Sequence, residues 1–292
     1  PPLRPQVVSA NPGTPSRVPE MQKPILGQAS QIERNKMSLI YEPKGKAREY
    51  SPLALNVYSG GCDHDCQYCY CSGIMCGAWG TTPRARNLAG LAKEAAGASR
   101  QILLSFIGDP YCAAEQTHRK TREALAVLRS AGCSVAILTK GGRRCLDDLP
   151  LFSAWPGGRI KVGATLTFNS SALSRKWEPG AADPGDRVGA LAELHQAGVK
   201  TWASIEPVIV ASESLAIIEA SLPHVDGYKV GKLNHQANDT DWAAFGKAAV
   251  DMIRASGKAL YVKHDLRPYL PAGYLSESEC SMESLTLPDR PE

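Results

Sequence analysis

The chain contains no run of roughly eighteen uninterrupted apolar residues, so no segment reads as a membrane helix. It shows no secretory or targeting segment and no internal repeat of fixed period, and its six histidines include no pair at metal-binding spacing. Net charge is only +4, too small by itself to point to a nucleic-acid partner. A disulfide framework is also excluded: nine cysteines are an odd number, and 292 residues need no staples. Many thiols without a targeting segment lead us to expect a reducing cytosol, hence a cytoplasmic protein.

What is present is the material of an α/β domain. Apolar residues at 43% allow a full core, and α/β barrels commonly occupy this length as one domain. Strand-like runs fall at 53–58, 101–107, 133–139, 160–168, 199–206 and 225–230, with a seventh apolar run at 259–263. Helical patterns alternate with them at 84–97, 114–131, 184–197, 212–221 and 240–256, with a short one near 143–152. Asp183 before Pro184 marks a helix start, and Gly132 and Gly198 mark helix ends. The alternation predicts a parallel sheet of six βα units, fewer than a closed barrel needs, with a lateral gap wide enough for a large substrate.

Residues 1–36, rich in Pro, Ser, Gln and Asn, read as a flexible extension. Met37 fits the start of a shorter natural form. Residues 37–270 form the predicted barrel domain. Residues 271–292, acidic and Ser-rich, read as a loosely docked tail. Residues 1–50 hold eight Lys/Arg (Arg4, Arg17, Lys23, Arg34, Lys36, Lys44, Lys46, Arg48) against Glu20, Glu33, Glu42 and Glu49. Such an arm either tracks phosphates or is a solvated tail.

The chemistry concentrates in one loop. Cys62, Cys66 and Cys69 follow the first strand in Gly60-Gly61-Cys62-Asp63-His64-Asp65-Cys66-Gln67-Tyr68-Cys69-Tyr70. This places them past a strand C-terminus, where α/β barrels keep their chemistry. Three thiolates hold three irons of a cubic [4Fe–4S] cluster and leave the fourth open. The bland alternative is a zinc loop completed by His64, Cys71 or Cys76. Cys133, Cys145 and Cys280 are scattered, and Cys133 reads as core.

This C-x-x-x-C-x-x-C loop resembles that of the radical S-adenosylmethionine (radical SAM) superfamily. In order along the chain, Ile107-Gly108-Asp109-Pro110-Tyr111, Thr121-Arg122-Glu123-Ala124-Leu125, Leu138-Thr139-Lys140, and Glu178-Pro179-Gly180 with Asp186-Arg187 resemble its spore photoproduct lyase-like branch. Tyr41-Glu42-Pro43-Lys44-Gly45 and Glu49-Tyr50-Ser51-Pro52 fit it too, so the resemblance runs from roughly Ile40 to Val210.

The resemblance implies a (β/α)6 partial TIM barrel, a [4Fe–4S] cluster and S-adenosyl-L-methionine (SAM). It implies a 5′-deoxyadenosyl radical made with an electron from a donor such as flavodoxin or ferredoxin. It places Tyr68 beside the adenine, Gly108 and Asp109 at the methionine moiety, and Lys140 at the SAM carboxylate. Thr165, with Thr167 as fallback, meets the ribose, and Arg187 is a further carboxylate contact. Glu206 and Lys229, near the ends of strands five and six, are expected to face the same mouth as substrate contacts, or else to form an internal ion pair.

The branch also implies a substrate, with one departure. The lyase carries a hydrogen-donor cysteine three residues before the position of Asp109, and here that residue is Phe106. The lyase's relay tyrosine is kept as Tyr70, and Cys112 on the following loop is a second candidate for hydrogen transfer. The expected substrate is a nucleobase, most simply a thymidine in DNA, undergoing modification or isomerisation. Photoproduct repair and a noncatalytic, metal-stabilised nucleic-acid-binding protein are the alternatives.

Overall fold

Seven short apolar segments supply a parallel sheet, as the alternating pattern predicts. The strands of the computed structural model are β1 (Ile40–Tyr41), β2 (Leu53–Leu55), β3 (Tyr58–Ser59), β4 (Arg84–Ala85), β5 (Ile102–Leu104), β6 (Val135–Thr139), β7 (Ile160–Thr165), β8 (Lys200–Ile205), β9 (Gly227–Val230) and β10 (Ala259–Val262). The structure describes residues 38–75, 78–234 and 239–291. The predicted extension at 1–36, Met37 and Cys76 lie outside the described residues. The main sheet runs β1-β2-β5-β6-β7-β8-β9-β10. All its pairings are parallel except β1 on β2. Six helical crossovers join the parallel strands, so the six βα units stand and the seventh apolar run supplies the last strand.

Period-two alternation divides each strand between two environments. Val162, Ala203, Tyr228 and Leu260 belong to the outward set that packs under the helices. The registers Gly163↔Trp202, Ser204↔Lys229 and Lys229↔Tyr261 align the inward set. Leu103, Ala136 and Trp202 meet Tyr50, Phe106 and Leu138 inside the barrel. The helix at Pro184–Gln196 is capped where the sequence predicts, and the one at Trp242–Ala255 gains a cap in the same way. The Asp183 carboxylate accepts from Gly185 N at 3.0 Å, and that of Asp241 accepts from Ala243 and Ala244 N at 3.1 and 3.0 Å. Gly132 and Gly198 have φ of +68° and +76°, the left-handed conformation that closes a helix cheaply only in glycine.

Four expectations need correction. The helix predicted over 84–97 begins only at Leu91, because Arg84–Ala85 pairs with Tyr58–Ser59. The first strand ends at Leu55, where Asn56 turns its amide to β5 and accepts from Phe106 N and Ile107 N at 3.0 Å each. A helix at Ser171–Trp177 was not anticipated from the pattern. The C-terminal segment is docked, within one compact unit spanning Ser38–Glu292. Ser276 and Glu279 form a capping box, and Leu287 N donates to the Gln101 amide at 2.9 Å. Lys161 Nζ donates to Leu285 O, and Arg290 donates to Ala131 O at 2.8 Å and Ala96 O at 2.6 Å. The segment's polar groups close the end of the sheet where the strands begin.

The expected lateral gap is bridged as well. A 3-10 turn at Gly45–Glu49 sends Glu49 and Tyr50 into the lumen. Glu49 accepts from Tyr261 OH at 2.9 Å and His264 N at 2.8 Å, and Tyr50 OH donates to Glu206 at 2.6 Å.

Candidate active site

The cysteine loop leaves β3 and is fixed from two sides. On one side Gly61 lies against Gly80, so closely that a Cβ there would sit 2.6 Å from the Gly80 carbonyl oxygen. Cys62 N donates to that oxygen at 3.0 Å. On the other side the loop rests on residues 176–180: Gln67 N donates to Trp177 O at 2.9 Å and Gly180 N to His64 O at 3.0 Å. A Cβ on Gly180 would overlap the Asp63 carbonyl oxygen. The Glu178-Pro179-Gly180 turn is therefore the seat of the loop.

Cys62, Cys66 and Cys69 are free and partly exposed. Burial first, then the nearby Asp109 carboxylate, pushes the Cys62 thiol up to about 12; burial pushes Cys66 up to about 11. A hydrogen bond from the Cys71 thiol, first among several causes, lowers Cys69 to about 6. A zinc site needs its ligands gathered within about 2.3 Å of one point. Among the described residues no group of three or more His, Cys, Asp or Glu is so placed. His64 turns away to Asp109 (3.5 Å) and Arg144 (3.1 Å), and Cys71 is buried against Cys69. A cubic cluster asks for something else: each thiolate meets its own iron, so the sulfurs stand apart. Three free thiols on one pinned loop fit that donor set, with a cation at hand to offset its negative charge.

That cation is Lys140, at the end of β6, 5.5 Å above the Tyr68 ring centroid. Its ammonium makes no hydrogen bond or ion pair among the described residues. Burial pulls its pKa down, but Cys66, Glu178 and Asp109 outweigh this and the net direction is up. Lys140 is therefore a free, charged donor beside the cysteines. The Thr165 hydroxyl on the same inward face also has no partner among the described residues, whereas Thr167 is occupied by Tyr68 (3.5 Å) and Glu178 (3.2 Å).

Arg187 is placed differently from the expectation. It is 1% exposed and donates to Glu178 at 2.5 Å, Ala182 O at 2.8 Å and Thr165 O at 3.0 Å. Its guanidinium is used up inside, so it is not a free carboxylate contact but a buried brace. Glu178, the other half of the pair, also accepts from Tyr68 OH. Asp109 likewise turns inward: it accepts from Tyr111 N at 2.8 Å, Thr139 OH at 2.5 Å and Lys140 N at 2.7 Å. It ties the ends of β5 and β6 to His64 of the cysteine loop. Gly108, at φ +73°, lets this turn pass 3.6 Å (from an ideal Cβ) over Gly61 O.

The two hydrogen-transfer candidates separate. Tyr70 is 42% exposed and donates to Phe106 O at 2.8 Å, so it joins the cysteine loop to the end of β5. Cys112 is fully buried in the apolar cluster with Tyr58 and Leu125. This corrects its candidacy for hydrogen transfer and agrees with the other reading of that residue, a structural thiol, because the turn after Asp109 folds it into the core.

Glu206 and Lys229 both face inward, as expected, yet they do not pair. Glu206 binds Lys263 Nζ, Tyr50 OH and Asn234 Nδ2, the last at 2.6 Å. Lys229 is completely buried among the rings of Tyr50, Trp202 and Tyr261, and its ammonium donates to the Glu49 and Tyr50 carbonyls. Burial drives its pKa well down. Lys229 holds the entering turn and has no face toward a substrate; this corrects its assignment as a contact. Sequence reasoning missed the roles of Glu178, Tyr50 and Asn56. The first two lie in motifs that stood out as patterns, but nothing in a linear pattern shows what they meet.

No family profile matches the chain. A curated relative, an uncharacterized protein of Methanocaldococcus jannaschii, is 31% identical over 160 residues, 53% of this chain and 60% of that protein. Among solved structures, SuiB of Streptococcus suis bound to S-adenosylmethionine is 16% identical with a TM-score of 0.54, over 77% of this chain and 53% of SuiB. A spore photoproduct lyase variant is 11% identical with a TM-score of 0.59, over 77% of this chain and 79% of the lyase. The lyase complexed with dinucleoside spore photoproduct is 14% identical with a TM-score of 0.53, over 74% of this chain and 64% of the lyase. The chain thus spans less than two thirds of the curated relative and about half of SuiB. An α/β partial barrel of the type shared by these radical SAM enzymes is the architecture of this chain.

Proposed function

We propose that this chain is a radical SAM enzyme acting on a nucleobase-type substrate. The observation that carries the reading is the set of three free cysteines on one pinned loop at the barrel mouth, with the unpaired Lys140 ammonium beside them. Cys62, Cys66 and Cys69 would hold a [4Fe–4S] cluster with one iron open, and SAM would lie along the inward strand ends. When bound, the pair supplies a 5′-deoxyadenosyl radical after one electron arrives from a donor such as flavodoxin or ferredoxin. Lys140 would meet the SAM carboxylate, Tyr68 would take the adenine, and the Thr165 hydroxyl would take the ribose. Gly108 and Asp109 shape the turn at the methionine end, with Asp109 acting through Thr139 and the Lys140 backbone. Arg187 and Glu178 keep Tyr68 in place.

The substrate side of the lumen offers Phe106, Tyr70 and Glu206. Phe106 packs edge-on to Tyr50 at 5.9 Å and fills the donor position of the lyase with a ring that gives no hydrogen. With Cys112 sealed in the core, no thiol reaches this space from either position. This favours modification or isomerisation of a thymidine over dimer splitting. The test is anaerobic incubation with SAM, dithionite and thymidine-containing DNA, followed by nucleoside mass spectrometry. A new thymidine-derived nucleoside is expected. Clean reversal of spore photoproduct to two thymines would replace the modification reading with repair.

A further inference from the structure

Two large apolar side chains stand exposed among the described residues, Tyr70 and Tyr269, each at 42%. Tyr70 belongs to the candidate active site. Tyr269 lies in the turn Arg267–Tyr269 that follows β10, at the same end of the barrel. It is held rigidly. Lys232, just past β9, places its ammonium 5.0 Å from the Tyr269 ring centroid, 5.4 Å from that of Trp242 and 3.3 Å from the Tyr269 hydroxyl. The two rings are 6.4 Å apart, and Trp242 stands edge-on to buried Phe245 at 6.2 Å. An exposed ring anchored to the core in this way loses little freedom on stacking.

Exposed cations lie on the same rim. Lys46 bonds Asn234 at 2.9 Å and Asp265 at 2.5 Å, which brings the turn carrying Lys44 and Arg48 to the same rim. Lys44 and Arg48 are exposed. Of the nearby acids, Asp265 is paired to Lys46 and Asp241 caps the helix Trp242–Ala255. Asp239 adds one exposed negative charge. A flat ring with a fixed ammonium, flanked by exposed cations, suits a base with its phosphates, because every base has a face to stack and stacking tolerates any sequence.

We infer that Tyr269, clamped by Lys232 and Trp242, is a stacking platform for an unpaired base flanking the reacting nucleotide, with Lys44 and Arg48 meeting its phosphates. This rests on the nucleobase reading above. The test uses the reconstituted full chain and a fluorescein-labelled short oligothymidylate, with anisotropy measured at several salt concentrations. Tyr269→Ala is expected to bind about 5- to 100-fold more weakly, the range for one lost stack, and Tyr269→Phe to bind like wild type. Lys44→Ala is expected to flatten the log–log salt dependence by about 0.7. Equal binding by wild type and Tyr269→Ala, with an unchanged salt dependence, overturns the platform and leaves the nucleobase reading standing. If wild type binds no oligothymidylate but converts free thymidine, the platform alone falls. If it does neither, and binds a basic or neutral peptide instead, both readings fall.

Discussion

Replacing Arg187 with methionine leaves the Glu178 carboxylate in a site that is 1% exposed, without the cation that holds it. Lys140 remains nearby but makes no hydrogen bond to it. Removing one partner of such a pair costs about 3–5 kcal/mol, much of it the penalty of a buried, unmatched charge. Three further guanidinium bonds are lost, to Ala182 O, Thr165 O and Ser174 OH. At about 2–4 °C per kcal/mol for a domain of this size, the melting temperature should fall by about 6–20 °C. The pH dependence supplies a sharper signature. Burial raises the Glu178 pKa, but Arg187 and then Lys140 outweigh it, so in the wild type it lies below its ordinary value of 4.5. A depressed carboxylate stabilises the fold above pH 4.5, and that stability is lost as pH falls through the folded-state pKa. In Arg187→Met, burial dominates and the folded-state pKa rises. The group then favours the fold at acid pH and opposes it as pH rises, so the gap between variant and wild type should narrow from pH 7 toward pH 4.5. Thermal melts followed by circular dichroism measure both. A drop of less than about 2 °C, or a gap that widens in acid, would refute the brace.

Gly180→Ala should displace the cysteine loop, since the new methyl group overlaps the Asp63 carbonyl oxygen; iron incorporated on reconstitution should fall sharply while the strands still form by circular dichroism. Cys62→Ala, Cys66→Ala and Cys69→Ala should each abolish 5′-deoxyadenosine formation, whereas Cys71→Ala should keep the cluster; equal loss in Cys71→Ala would move the ligand set. Lys140→Ala should weaken SAM binding about 10- to 100-fold, the worth of a charge-assisted hydrogen bond, with iron content intact. Cys112→Ala should leave the product and its deuterium content in heavy water unchanged, because that thiol is sealed in the core; altered labelling would put it back in the reaction.

Much of the fold was legible because it depends on local pattern. Runs such as Val135–Thr139 are apolar on both faces, as strands buried on both sides must be, and Asp183-Pro184 and Gly198 punctuate helices by local geometry. The cysteine triad stands out in the sequence for the same reason: its three thiols lie within one loop. The failures share a different cause. Arg187 and Glu178 are nine residues apart, and in sequence an arginine on a helix looks solvated; only the turn at Glu178–Gly180 folds it inward. Lys229 reads as a mouth residue from its strand position, but Tyr50, entering from a turn some 180 residues earlier, covers it. Cys112 is three residues from Asp109, and the direction of the intervening turn decided its burial. The docked C-terminal segment is mostly polar, and it is anchored by long-range bonds, from Lys161 to Leu285 O and from the Arg290 side chain to Ala131 O, that no local pattern marks.

Anaerobic reconstitution with iron and sulfide, followed by incubation with SAM and dithionite, tests in one assay whether Cys62, Cys66 and Cys69 together build a cluster able to split SAM. Brown protein with iron and sulfide each near four per chain is expected, with 5′-deoxyadenosine formed by the wild type but not by Cys66→Ala. Colourless protein holding a single zinc, or 5′-deoxyadenosine that persists in Cys66→Ala, would contradict it.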